Sequence, residues 1–283
     1  MSKTPASPSP AATSPADAFA GFSAADLDFL AGLAANNDKT WFTAHRAAYD
    51  DGLKPAMGAL IGALNGAFAA RGLPFEGQAK KNIFRIHRDV RFSKDKRPYK
   101  THISASLTRE GDKMAPGMVY VHVEPQPQTW TFDPETIDPL DPSTLPSAQA
   151  AAAQDDYAGS GPFVAVGFYL WDRPLIDAFR KQIVRDPKAW GAVETALAAA
   201  GLALETGAPV KRMPKGYEDH AGGALETALK KTHWLVRREL TAAELADPAL
   251  PGRIADFVAG ARPLLDFGWR ALHGVLVEPA RRR

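Results

Sequence analysis

Residues 80–102 read KKNIFRIHRDVRFSKDKRPYKTH and gather more potential chemistry than any other stretch of the chain. Nine basic residues stand there: Lys80, Lys81, Arg85, Arg88, Arg91, Lys94, Lys96, Arg97 and Lys100. Only Asp89 and Asp95 oppose them, so the segment carries +7 in a protein whose total is +2, and the rest of the chain is net −5. Guanidinium forks and ammonium groups around one loop suit a phosphate or a carboxylate. The ligand-binding set expected here is Arg85, Arg88, Asp89, Arg91, Lys94, Asp95, Lys96, Tyr99 and Lys100. In an alternating strand Arg88 falls with Phe84, Ile86, Val90 and Phe92 on the apolar side, where a charge needs a carboxylate or a ligand. Arg212 and Lys215, in the run RMPKGY, form a candidate second anion-contacting loop; a plain turn is the alternative.

A second constellation lies just downstream. If the next stretches pair as a meander, one face collects Arg85 and Asp89, then His102, Ser104 and Ser106, then Tyr120, His122 and Glu124. His102, His122 and Glu124 are the candidate catalytic groups, as a general acid–base pair or a metal-binding cluster. The competing reading is a solvated sheet face with incidental histidines. No HExxH-type spacing is present, so no metal ligand is assigned. No cofactor can be named either. There is no Walker A sequence, no dinucleotide fingerprint after a strand and no nucleophile elbow. Asp133, Glu135, Asp138 and Asp141 lack the glycine turn of a calcium loop. Trp41, His45 and Tyr49, at i, i+4 and i+8, read as core and rim of a helix.

The elements that must position these residues follow from periodicity and punctuation. Ser23-Ala24-Ala25-Asp26 is a capping-box start, with Leu27, Leu30 and Leu33 at helical spacing behind it. Asp38 caps a second helix. Pro55 opens a third, cored by Met57, Leu60, Ile61, Leu64 and Phe68. Gly58, Gly62 and Gly66 repeat every four residues, which close backbone packing or compositional drift explains. After Gly77 the period changes to 2. Asn82–Phe92, Thr101–Leu107 and Val119–Val123 read as three antiparallel strands. Phe163–Trp171 and Trp234–Leu240 also have strand character, and Leu202–Thr206 and Val210–Met213 are two short β-like runs. Helices are expected at 174–184, 187–200 and 222–231, from Thr241, and at the C-terminal end, where Pro263 should kink or restart the last one. The expected fold class is α+β: a single domain over 21–275, its central antiparallel sheet flanked by N- and C-terminal helices. Residues 1–20 read as a disordered leader, 125–161 as a surface insertion and 276–283 as a flexible tail.

Composition narrows the function classes. The 283 residues are 45% hydrophobic and 23% charged, as in an ordinary globular protein. Cysteine is absent, which removes disulfides, thiol catalysis and thiolate-held metals. The charge balance is wrong for a protein that coats polyanions. The most apolar long stretch, Ala56–Ala70, is short, Ala- and Gly-rich and carries Asn65, so no membrane span is expected. The expected location is cytoplasmic.

The run RIHRDVRFSKDKRPYKT resembles the hallmark of the family called domain of unknown function 2461, typically R-I-x-R-D-x-R-F-S-K-D-K-x-P-Y-K-T. LDFLAGLAANNDKTWF (27–42) is similar to that family's N-terminal helix pair, YVHVEP (120–125) to its next strand and RMPKGYEDH (212–220) to its P-[RK]-G-[YF] segment. His87 stands where the family often has an aromatic residue, and 125–161 is longer than its usual connection. The resemblance carries a fold and a site but no activity. Three functions are then open. One is binding, with or without turnover, of a phosphorylated small molecule at the basic loop. Another is a non-catalytic structural or interaction domain with an internally paired Arg/Asp ladder. The third is nucleic-acid binding, with Phe84, Phe92 and Tyr99 stacking bases; it ranks last because the rest of the chain is acidic.

Overall fold

Side-chain caps begin the helices that the sequence marks. Ser23 and Asp26 form a reciprocal capping box on α1 (Ala24–Ala35). Asp38 accepts from the Trp41 N–H at 2.9 Å and opens α2 (Lys39–Ala44). A π-helical turn, Ala48–Leu53, runs without a break into α3 (Lys54–Ala70). The computed structural model describes residues 18–91, 95–125, 160–170, 172–206 and 209–277. Lys94, most of the expected leader and insertion, and the tail from residue 278 lie outside them. Phe19 is buried, its ring 5.5 Å from that of Phe22, so packed chain begins before the residue-21 boundary.

After the one-turn helix α4 (Ala79–Asn82) come four strands: β1 (Ile103–Thr108), β2 (Met118–Val123), β3 (Phe163–Tyr169) and β4 (His233–Glu239). They form one antiparallel sheet in the order β1-β2-β3-β4. Ala105 lies opposite Val121, Val121 opposite Val164 and Val166 opposite Val236. These residues share the apolar face, which packs under α3 and the C-terminal helices. Those are α5 (Arg173–Arg185), α6 (Pro187–Ala199), α7 (Glu226–Lys230), α8 (Ala242–Leu245), α9 (Leu250–Gly260) and α10 (Arg262–Val277). Pro263 restarts the last helix rather than kinking it. The protein is thus α+β, and no described helix is long and apolar enough to cross a membrane.

Three expected β segments differ. Asn82–Phe92 is no full strand. Glu76 and Ile83 bridge to the free edge of β1, and the Phe84 N–H donates to Ser104 O at 2.9 Å. The chain then leaves the sheet and pairs with its own return: His87 bridges Tyr99, and the Arg88 and Lys100 N–H groups donate to Pro98 O and Ile86 O. Pro98 has no N–H to offer a longer ladder. The runs 202–206 and 210–213 reduce to one bridge, Leu204 with Val236. Of the spaced glycines, only Gly58 meets a close neighbour: a Cβ there would stand 3.1 Å from that of Ala79, whereas Gly62 and Gly66 face nothing within 4 Å.

Candidate functional site

A groove of about 1280 Å³ separates α2, the π turn and the first half of α3 from the segment 79–87. Six basic residues line it: Lys39, Arg46, Lys54, Lys80, Arg85 and Lys113. Asp50 is the one carboxylate among the lining residues, and it is tied to Arg46 at 2.8 Å. Lys39, Lys54, Lys80, Arg85 and Lys113 make no ion pair among the described residues. Aromatic rings share the lining. Phe42 stacks on Tyr99 at 4.3 Å, and Phe84 has the Lys100 and Lys113 ammoniums 5.7 and 5.2 Å from its centroid. Asn37 fixes this junction. Its side chain donates to Tyr99 O at 2.9 Å and accepts from the Tyr99 N–H at 3.0 Å, docking the basic segment against the α1–α2 corner.

The other half of the basic segment is occupied with itself. Arg88 lies on the inner side of the hairpin and meets Asp95 at 2.7 Å. Arg97 clamps the same carboxylate with Nε and Nη2, and its backbone N–H adds a further bond. Burial pushes the Asp95 carboxyl up, but the bonds from Arg97 and Arg88 outweigh it and hold the group well below the usual carboxylate range. Asp89 takes both Nε and Nη2 of Arg91, which lowers its carboxyl to about 2. Lys96 donates to Val90 O at 3.0 Å.

The second constellation forms on the polar face of the sheet, with Ser104 opposite His122 and Ser106 opposite Tyr120. That face is not solvated: His102, Ser104, Ser106, His122 and Glu124 are all buried. His122 Nε2 lies 3.4 Å from Glu124 Oε2, and its Nδ1 lies 3.4 Å from the Tyr120 hydroxyl. The rings of His102 and His122 are 4.1 Å apart. Thr101 donates to Glu124 Oε1 at 3.0 Å. Burial first, then the charges of Arg237 and Lys100, brings the His122 imidazole down to about 3. Burial, His122 and Lys100 likewise press His102 well below its ordinary value. Both rings therefore favour the neutral form near pH 7 and take up a proton only reluctantly. Arg237 stands over the Phe163 ring at 3.9 Å, and Phe163 stacks on His122 at 4.8 Å.

Of the residues expected from sequence, Arg85 and Tyr99 line the groove, while Arg88, Asp89, Arg91, Asp95 and Lys96 belong to the hairpin. Lys100 stands beside Phe84, and Arg212 and Lys215 are exposed and do not line the groove. Arg85 and Asp89 do not join the histidines: one lines the groove and the other pairs with Arg91. Lys39, Arg46, Lys54, Lys113 and Arg237 were not singled out in the sequence. The helical lysines carry no local signal, because only the packing of α2 and α3 against 79–87 makes neighbours of them.

A family model described as conserved hypothetical protein (DUF2461) matches residues 25–131 and 155–267. No curated protein and no solved structure gives a significant match.

Proposed function

The chain belongs to the DUF2461 family, and we propose that it binds a phosphate-bearing small ligand in the groove between α2–α3 and residues 79–87. The carrying observation is the lining itself: five cations without ion-pair partners among the described residues converge on one concave, partly aromatic site. Pockets of roughly 300–1,000 Å³ hold drug-sized ligands, so about 1280 Å³ has room for a nucleotide. Arg85 supplies a bidentate fork, Lys80, Lys54 and Lys39 supply point charges, and Phe84 or Tyr99 supplies a ring face. The bonds within the hairpin support the structural reading for residues 88–91 and 95–97, so we place the ligand contacts at the base of the loop. A cysteine-free chain is compatible with a reducing compartment, and we read the setting as cytoplasmic.

Calorimetric titration with pyrophosphate and with nucleoside mono-, di- and triphosphates tests this reading. Wild type should bind at least one of them at low salt, more weakly as salt rises. Lys80→Ala/Arg85→Ala should lose about 100-fold or more in affinity, since each charge-assisted hydrogen bond is worth about 1.5–3 kcal/mol. Lys96→Ala should bind as wild type does. If wild type binds none, or the double variant binds equally well, the groove is no phosphate site. Tight binding of single-stranded oligonucleotides alone would move the assignment to nucleic acid.

A further inference from the structure

We infer that His102, His122 and Glu124 hold one first-row divalent transition ion of the zinc or iron(II) class, at a site separate from the basic groove. One ring nitrogen of each histidine and one oxygen of Glu124 lie within 4.8 Å of one another. A tetrahedral ion with bonds of about 2.05 Å sets neighbouring ligand atoms about 3.3 Å apart. The 3.4 Å from His122 Nε2 to Glu124 Oε2 already matches that edge. His102 has to approach by up to about 1.5 Å to complete that spacing, and its ring lies beside that of His122 at a tilt of 34°.

The surroundings are those of a ligand set. Metal-bound imidazole and carboxylate groups are held from behind by hydrogen bonds. Here the Tyr120 hydroxyl meets His122 Nδ1, and Thr101 donates to the Glu124 oxygen that does not face His122. His102 is buried, and its Nδ1 has no hydrogen-bond partner among the described residues. An unsatisfied buried nitrogen is rare enough to require an explanation. Ligation explains it. Two nitrogens and one oxygen, with no thiolate and no cage of oxygens, select against soft copper(I) and against magnesium or calcium. Three protein ligands leave at least one position open for water or another ligand.

The site does not depend on the groove reading, so its test uses metal alone. Untagged, chelator-stripped protein is titrated with Co²⁺ and Zn²⁺, and with Fe²⁺ under anaerobic conditions. We expect one ion per chain, visible d–d bands for Co²⁺ that Zn²⁺ abolishes, and a higher melting temperature in the bound form. Glu124→Gln, nearly isosteric, and His102→Ala should each weaken binding at least about 100-fold. The joint variant His45→Ala/His273→Ala removes two exposed histidines and should change nothing. Circular dichroism identifies the folded variants; if His102→Ala does not fold, Glu124→Gln carries the test. The inference is overturned if wild type shows no saturable binding up to millimolar ion, if folded Glu124→Gln binds as tightly as wild type, or if only the exposed-histidine variant loses binding.

Discussion

Gly167→Ala is expected to destabilise the protein by about 4 kcal/mol or more, enough to remove most of the native population of an ordinary domain. Gly167 sits within β3, paired with Met118 on one side and Leu235 on the other. Its φ is +137°, where an L side chain is strained. A Cβ would also come within 2.2 Å of Trp234 O and 3.1 Å of the Leu235 Cα. Backbone on the neighbouring strand cannot swing aside as a flexible side chain can. Gly66→Ala is the opposite case, because that position lies exposed in α3 and a Cβ meets nothing within 4 Å. It should stabilise by up to about 1 kcal/mol. Urea denaturation of the two variants should therefore move the midpoint in opposite directions. A Gly167→Ala protein as stable as wild type would mean that β3 and β4 do not approach as described.

Asp95→Asn should cost about 2–4 kcal/mol near neutral pH, because it leaves the Arg88 and Arg97 guanidiniums partly buried without their counter-charge. The effect should depend on pH in one direction. The native Asp95 carboxyl lies below its unfolded value of about 3.9. Its stabilisation is thus fully present above that value and is lost as the pH falls through and below it. The stability gap between wild type and variant should be level from about pH 8 to 5 and should narrow below about pH 4. A gap that does not change with pH would show that Asp95 acts through shape rather than charge. Arg88→Ala should cost less at neutral pH than Asp95→Asn, since Arg97 still clamps the Asp95 carboxylate.

These two effects differ in how far the sequence announces them. The pairing of Arg88 was foreseeable: alternation put a guanidinium among Phe84, Ile86 and Val90, where it needs an acid, and Asp95 provides one. The capped helix starts at Ser23, Asp38 and Thr241 were equally legible, because an N-cap is a local device. The strand phase of β1 and β2 followed from their alternation. Gly167 carries no such mark, because its conflict is with β4, far along the chain. The polar face of the sheet was legible in membership but not in depth. A period of 2 reads the same whether the polar side meets water or more protein, so His102, His122 and Glu124 read as well as solvated residues as they did as a buried cluster. The groove was half legible. Arg85 belongs to a dense basic run, whereas Lys39, Lys54 and Lys113 are scattered and come together only through tertiary packing.

The π turn at Ala48–Leu53 acts as a phase adjuster for this groove. It holds one residue more per turn than the α-helix that follows it. Winding the same residues as a plain α-helix, with no change in chain length, would rotate everything upstream by about 100° against α3. Lys39, Thr43 and Arg46 would turn together away from the wall that Lys54, Gly58 and Gly62 provide. The register between the two walls is thus written in the winding of the backbone at this turn rather than in the identity of the groove side chains. Tightening this turn to α geometry at constant chain length would re-aim several groove residues in a single step, which no point substitution in the groove can do.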